Sequence, residues 1–233
     1  MDSRTFVQEI SKNNEALFRA SELQVKSYFD SKPSNEELVE HFTGRMINER
    51  MNMVEISAQI ANAPADADVT ELNLLSKQAQ DEAKHFRMVK EVIEHISGKP
   101  VDVAAAVEDH SKKLDSKGAA LIKKYGGDKD ELMLALYQMI AEGRAARNWA
   151  MMSECIKDSF VARTYAKIAK DEKFHSKIGQ RKLLQLCDTP EAQDRILSII
   201  DNMRKDLFLI TCAKSGMNAE SKQIMEDAYG TLH

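Results

Sequence analysis

Residues 75–96 read LSKQAQDEAKHFRMVKEVIEHI. At helical spacing Leu75, Ala79, Glu82, His85 with Phe86, Val89, Ile93 and Ile96 share one stripe, so a helix that turns this stripe inward carries a Glu and, one turn on, a His into the core. Residues 165–179, YAKIAKDEKFHSKIG, repeat the arrangement. There Tyr165, Ile168, Glu172, His175 and Ile178 or Gly179 fall together, and both Glu-x-x-His pairs follow an aspartate, Asp81 and Asp171.

Each pair is preceded by a helical segment whose apolar stripe is broken once. The first runs Phe42, Met46, Glu49, Met53, Ile56, Ile60, and the second Ala135, Met139, Glu142, Ala146, Trp149. Glu49 lies 33 residues before Glu82 and Glu142 lies 30 before Glu172, while Glu82 and Glu172, like His85 and His175, are 90 apart. One Glu-x-x-His is a weak signal. Two of them, each on a core stripe behind a lone Glu, read as a pseudo-repeat of two helix pairs. Glu55 falls on a different, solvated stripe.

Breakers and caps divide the rest of the chain in the same idiom. A first helix is expected over Ser3–Phe29, closed by Asp30-Ser31-Lys32-Pro33. Ser34 and Glu37 form a capping box that opens a helix over about 35–63. Further helices are expected over 69–96, 130–157, 159–186, Glu191 to about Ala213, and Ala219–Tyr229, with a weakly periodic crossover from Val101 to Tyr125 ended by Gly126-Gly127. Only 9 Gly and 4 Pro occur among 233 residues, too few turn formers for a sandwich or barrel, and no Val/Ile runs alternate with the helices. The expected class is all-α, about eight helices in one domain, 1–233.

The charge sum of −4 is built from interspersed acids and bases, which argues against a nucleic-acid or membrane-surface partner. No apolar run reaches the roughly 18 residues of a membrane span and MDSRTFVQEI is not a signal peptide, so a cytoplasmic location is expected. Cys155, Cys187 and Cys212 lack metal or redox spacing and read as reduced structural thiols. His41, His95 and His110 lie off the stripes and read as surface or cap residues, the methionines as core filler, and Lys112-Lys113 and Lys123-Lys124 as solvated faces.

A carboxylate in a bundle core costs several kcal/mol unless it is paired or coordinated. Four of them on core stripes with two imidazoles, and no Lys or Arg on those stripes, require compensating positive charge. Two divalent cations supply it, and mixed carboxylate and imidazole ligation suits iron or manganese better than closed structural zinc.

This ligand set resembles that of the ferritin-like diiron-carboxylate superfamily, whose fold is a four-helix bundle. Carried over, the resemblance implies that Glu49, Glu82 and His85 bind one iron and Glu142, Glu172 and His175 the other. Glu82 and Glu172 are then the bridges, and Asp81 and Asp171 accept hydrogen bonds from the ligand histidines. The repeated Asp-Glu-x-x-His is similar to the motif of bacterial multicomponent monooxygenase hydroxylases, although Lys84 and Phe174 stand where those enzymes usually have Arg. Length and extra terminal helices resemble the oxygenase branch, in particular aldehyde-deformylating oxygenases and the catalytic subunit of phenylacetyl-CoA epoxidase.

The implied activity is that of a dimetal oxygenase or oxidase. Its cofactors are two iron ions, with manganese or a mixed Fe/Mn pair as variants, and dioxygen is the co-substrate. The expected partners are a small apolar organic substrate and an external electron donor, and the chain admits a homodimer. Ala79, Ala83, Gly143 and Ala146 are expected to leave room beside the ligands, and Met53, Phe86, Met139, Trp149, Tyr165 and Ile168 to line the substrate cavity. The main alternative is iron handling as a ferroxidase or peroxidase; a structural subunit is a further one. A tyrosyl-radical generator is disfavoured, because Val89 stands one turn after His85 where such a protein has Tyr, and Tyr165 lies about 10 Å along the axis from Glu172.

Overall fold

A computed structural model describes residues 1–112, 121, 124–125, 130–213 and 216–232. Every described element is a helix: α1 Ser3–Lys12, α2 Glu15–Asp30, α3 Asn35–Ala61, α4 Val69–Ser97, α5 Val103–Lys112, α6 Glu131–Cys155, α7 Ser159–Leu186, α8 Pro190–Cys212 and α9 Ala219–Tyr229. Local chemistry explains most of the starts. The side chains of Asp2, Ser34, Asp68, Asp130, Asp158, Thr189 and Asn218 each accept a hydrogen bond from the first turn they precede. Ser34 and Glu37 make the reciprocal pair of a capping box. α4 ends at Gly98, which takes φ +66°, a left-handed conformation that glycine adopts without a Cβ penalty. Among the described residues no helix is long and apolar enough to cross a membrane.

Contacts concentrate in two groups. Pro33–Leu114 forms one, and Met1–Lys32 with Asp115–His233 forms the other. In the first, α3 packs along α4 as a hairpin, and α5 touches α3. Its buried apolar residues are Phe42, Met46, Ile47, Ile56, Val89, Val92 and Ile93.

In the second group α6 and α7 form the corresponding hairpin, joined by three residues. The register is antiparallel: Trp149 meets Tyr165 near the turn, with ring centroids 5.6 Å apart, Ser176 donates to the carbonyl of Met139 at 2.8 Å, and Gly179 lies beyond it against Ala135. At Gly179 the two backbones come close. A Cβ there would lie 2.6 Å from the Met139 nitrogen and 2.7 Å from the Ala135 oxygen, both backbone atoms that no rotamer change can move. Around this hairpin α1, α2, α8 and α9 close a core that includes Leu17, Leu136, Ile140, Leu183, Met203, Phe208 and Met225.

Two sequence expectations are corrected. The single helix over Ser3–Phe29 is broken at Asn13-Asn14. Asn14 is buried and makes no cap bond for α2, because its side-chain oxygen accepts from Arg204 Nε at 2.8 Å. Arg204 also donates to the Ile10 carbonyl at 2.8 Å, and the Tyr229 hydroxyl donates to the Asn13 carbonyl while accepting from the Leu17 N–H at 3.2 Å. Carbonyls freed by the break are thus taken up by side chains of α8 and α9.

The second correction concerns charge. The only acids of α7 are Asp171, half-buried, and Glu172, buried, whereas Arg163, Lys167, Lys170, Lys173, Lys177 and Arg181 are exposed. The interspersion seen along the sequence does not hold in three dimensions on this helix, whose outer face is basic. The expected crossover over 101–125 is helical as far as Lys112. Most of the segment beyond Lys112, with the Lys113, Lys123 and Gly126-Gly127 positions, lies outside the described residues, as does the side chain of His110.

Candidate metal centre

In the α3/α4 hairpin, Glu49 reaches inward from α3 opposite Glu82 and His85 of α4. The three are 4%, 0% and 0% exposed, and one ligand atom from each lies within 4.8 Å of the others. His85 turns Nδ1 toward Glu49 Oε2 at 3.5 Å. That oxygen is buried and has no hydrogen-bond partner among the described residues. An ionised carboxylate so placed is destabilising without a cation.

The α6/α7 hairpin gathers a matching triad. Glu142 of α6 is half-buried, Glu172 and His175 of α7 are 2% and 0% exposed, and their ligand atoms again lie within 4.8 Å of one another. His175 Nδ1 lies 3.0 Å from Glu172 Oε2. Both imidazoles therefore present the same ring nitrogen to a carboxylate of their own triad. Buried oxygen and nitrogen donors on packed helices, with Glu49 Oε2 lacking a hydrogen bond, fit a metal ion. A buried cluster of Glu and His able to hold a metal ion is present in each hairpin.

The residues around the triads divide. Asp81 is buried and its carboxylate receives Lys77 from one turn earlier on α4, with Lys84 at 3.5 Å. Asp171 is half-buried. Trp149, Tyr165, Ile168 and Ala146 are buried, and the first two touch at a tilt of 49°. Met53, Ala79 and Phe86 are half-buried.

Three of the residues expected to provide room or lining face elsewhere. A Cβ on Gly143 would meet the Phe18 ring at 2.8 Å and Ser176 Oγ at 3.1 Å, so the space there belongs to the packing of α2. Met139 is part of the core shared with α1, and its sulfur accepts from Ser11 Oγ at 3.4 Å. Ala83 is exposed. The three thiols are unpaired with one another, and burial pushes Cys187 and Cys212 each up to about 11.

Of the histidines off the stripes, His95 is exposed in the last turn of α4, and His41 is half-buried with its ring edge-on to Phe42. Gln78, 2% exposed and one turn before Glu82 on the same helix, escaped the sequence reading. Its i−4 spacing from Glu82 was the available signal, hidden because Ala79 filled the same place on the stripe.

No family model matches the chain, and neither a curated protein nor a solved structure matches it.

Proposed function

We propose that the chain is a non-haem dimetal oxygenase or oxidase, in the first instance a diiron enzyme, in which the two triads contribute to one dinuclear centre beside which an apolar organic compound is oxidised. The observation that carries this reading is the duplication: two helix hairpins each draw a lone Glu, a Glu and a His three residues later into contact range.

Glu49, Glu82 and His85 would hold one ion and Glu142, Glu172 and His175 the other. Two iron(II) ions bound there supply a place for dioxygen to bind and be reduced; in a monooxygenation one oxygen atom enters the substrate and the other leaves as water, with two electrons and two protons from an external donor.

The protein's part is orientation, charge and dryness. The four carboxylates carry −4 against the +4 of two divalent ions. Each histidine turns Nδ1 to its triad, and Asp81 is proposed as the second acceptor that fixes the His85 ring and tautomer; the corresponding expectation for Asp171 is corrected, because His175 Nε2 makes no hydrogen bond to it. Trp149, Tyr165 and Ile168 exclude water on the α6/α7 side, and with Met53, Ala79, Phe86 and Ala146 they are the proposed apolar lining.

The test is anaerobic titration of the metal-free chain with Fe(II), followed by oxygen and optical spectroscopy, with and without candidate apolar substrates. Two irons per chain are expected, and cobalt loading should give two magnetically coupled spins. Well under two irons, or unchanged binding by Glu49→Ala and Glu142→Ala, would overturn the reading. Oxidation of many irons per chain, indifferent to organic compounds, would replace it with ferroxidase chemistry.

A further inference from the structure

The outer face of α7 carries Arg163, Lys167, Lys170, Phe174, Lys177 and Arg181, alternating at steps of four and three residues. That spacing puts them in one row, about 27 Å long at 1.5 Å per residue. All six are exposed, and the five bases have no hydrogen-bond or ion-pair partner among the described residues. The Cβ atoms of bases three or four residues apart in such a row lie about 5–6 Å from one another, inside the Debye length of about 8 Å, so the charges on either side of Phe174 repel within their own group and are mutually destabilising. A row of this kind on a chain of net charge −4 is a local feature of that helix and not a reflection of composition.

Phe174 sits in the middle of the row, 38% exposed, and Leu184 continues it at 39%. The Phe174 ring also lies edge-on to the buried ring of His175, with centroids 6.3 Å apart. A solvent-exposed aromatic is thus in ring contact with a residue of the α6/α7 triad.

We propose that this face docks a small acidic electron-transfer protein, and that Phe174 is the point at which its electrons enter toward His175. The proposal rests on the dimetal reading for the destination of the electrons, but the docking surface stands on its own geometry. Each transfer oxidises the partner's redox group by one electron and reduces one metal ion by one. The bases attract and orient an acidic surface, while Phe174 and Leu184 meet its apolar centre. A nucleic acid is the poorer fit: the chain as a whole is acidic, with a pI of about 5.9, where nucleic-acid-binding domains are usually above 9.

Calorimetry of the full metal-free chain against a small acidic [2Fe–2S] ferredoxin should detect association that weakens about tenfold between about 0.05 and 0.2 M salt. Lys170→Glu combined with Lys177→Glu should abolish it without lowering the temperature of thermal unfolding, since the exchange relieves repulsion along the row. In the iron-loaded chain the same pair of substitutions should slow reduction by reduced ferredoxin about tenfold or more, and leave reduction by dithionite with a small neutral mediator as it was. Phe174→Leu should preserve docking and slow the ferredoxin-driven reduction alone.

Two irons bound without salt-sensitive association would overturn the docking proposal and leave the dimetal reading standing. Equal or tighter binding of a single-stranded oligonucleotide would overturn the choice of partner. Ferredoxin docking in a chain that binds no iron would support the surface, and would overturn the electron-entry role together with the dimetal reading.

Discussion

The Glu49 carboxylate gives up its hydration on folding and gains, for Oε2, only the edge of His85 at 3.5 Å. Ligands held in this way work against the stability of the metal-free protein. Glu49→Gln is accordingly expected to stabilise the metal-free chain by about 1–3 kcal/mol in urea unfolding while lowering its capacity from two irons to one. A loss of stability would mean that the carboxylate is satisfied within the protein and needs no ion. The buried thiols make a second residue-level prediction. Folding raises Cys187 and Cys212 from an ordinary 9.0 to about 11, so their contribution to stability is complete below pH 9 and is lost as pH rises toward 11. The urea midpoint should be insensitive to these groups up to pH 9 and fall above it, and Cys187→Ala with Cys212→Ala should flatten that fall. The inward residues could be read from sequence because a charge on an apolar 3–4 stripe is conspicuous. The outward bases of α7 could not, since counting charge along a chain discards direction.

At the scale of the helix, starts were legible and one break was not. Ser34, Asp68, Asp130, Asp158 and Asn218 act on groups two to four residues away, and local sequence contains everything needed to place them. The interruption at Asn13-Asn14 depends on Arg204 and Tyr229, some 190 and 216 residues distant. The Asn pair, a poor helix former, was the only local hint. Close helix contact is similarly non-local, and two glycines separate its cost from that of backbone strain. Gly179→Ala places a Cβ against the backbone of α6 and is expected to cost about 2–3 kcal/mol or more. Gly98→Ala meets nothing within 4 Å and should lose about 1 kcal/mol for its positive φ alone. Chemical denaturation of both variants checks the order. A smaller loss at Gly179 would mean that the two helices can part without penalty.

For the whole molecule the all-helical class followed from the scarcity of Gly and Pro, whereas the grouping of the helices required the structure. α1 and α2 associate with α6–α9, with α3–α5 forming a separate group between them in the chain. Arg204 is a main tie: its guanidinium joins Ile10, Asn14 and Asp201 and lies over the Tyr229 ring at 5.1 Å. Arg204→Leu leaves several buried acceptors unmatched and is expected to destabilise by about 3–5 kcal/mol in denaturant titration. Metal should act in the opposite sense. Free Fe(II) or Mn(II) at about 100 times its dissociation constant should add about 2.7 kcal/mol per site, reversed by a chelator, and a melting temperature indifferent to both would argue against specific binding.

The split of one helical group across the chain has a consequence for synthesis. Pro33–Leu114 leaves the ribosome as a continuous stretch and can pair α3 with α4 at once. α1 and α2, translated before α3 to α5, find their neighbours after them: α6 to α9 emerge only later, and the hydroxyl that takes up the Asn13 carbonyl belongs to Tyr229. Through most of translation the apolar sides of α1 and α2, with Phe6, Val7 and Leu17, therefore wait uncovered. In a nascent chain of this design those sides stay open to solvent while α3 and α4 are already paired, and are covered only as α6 to α9 arrive.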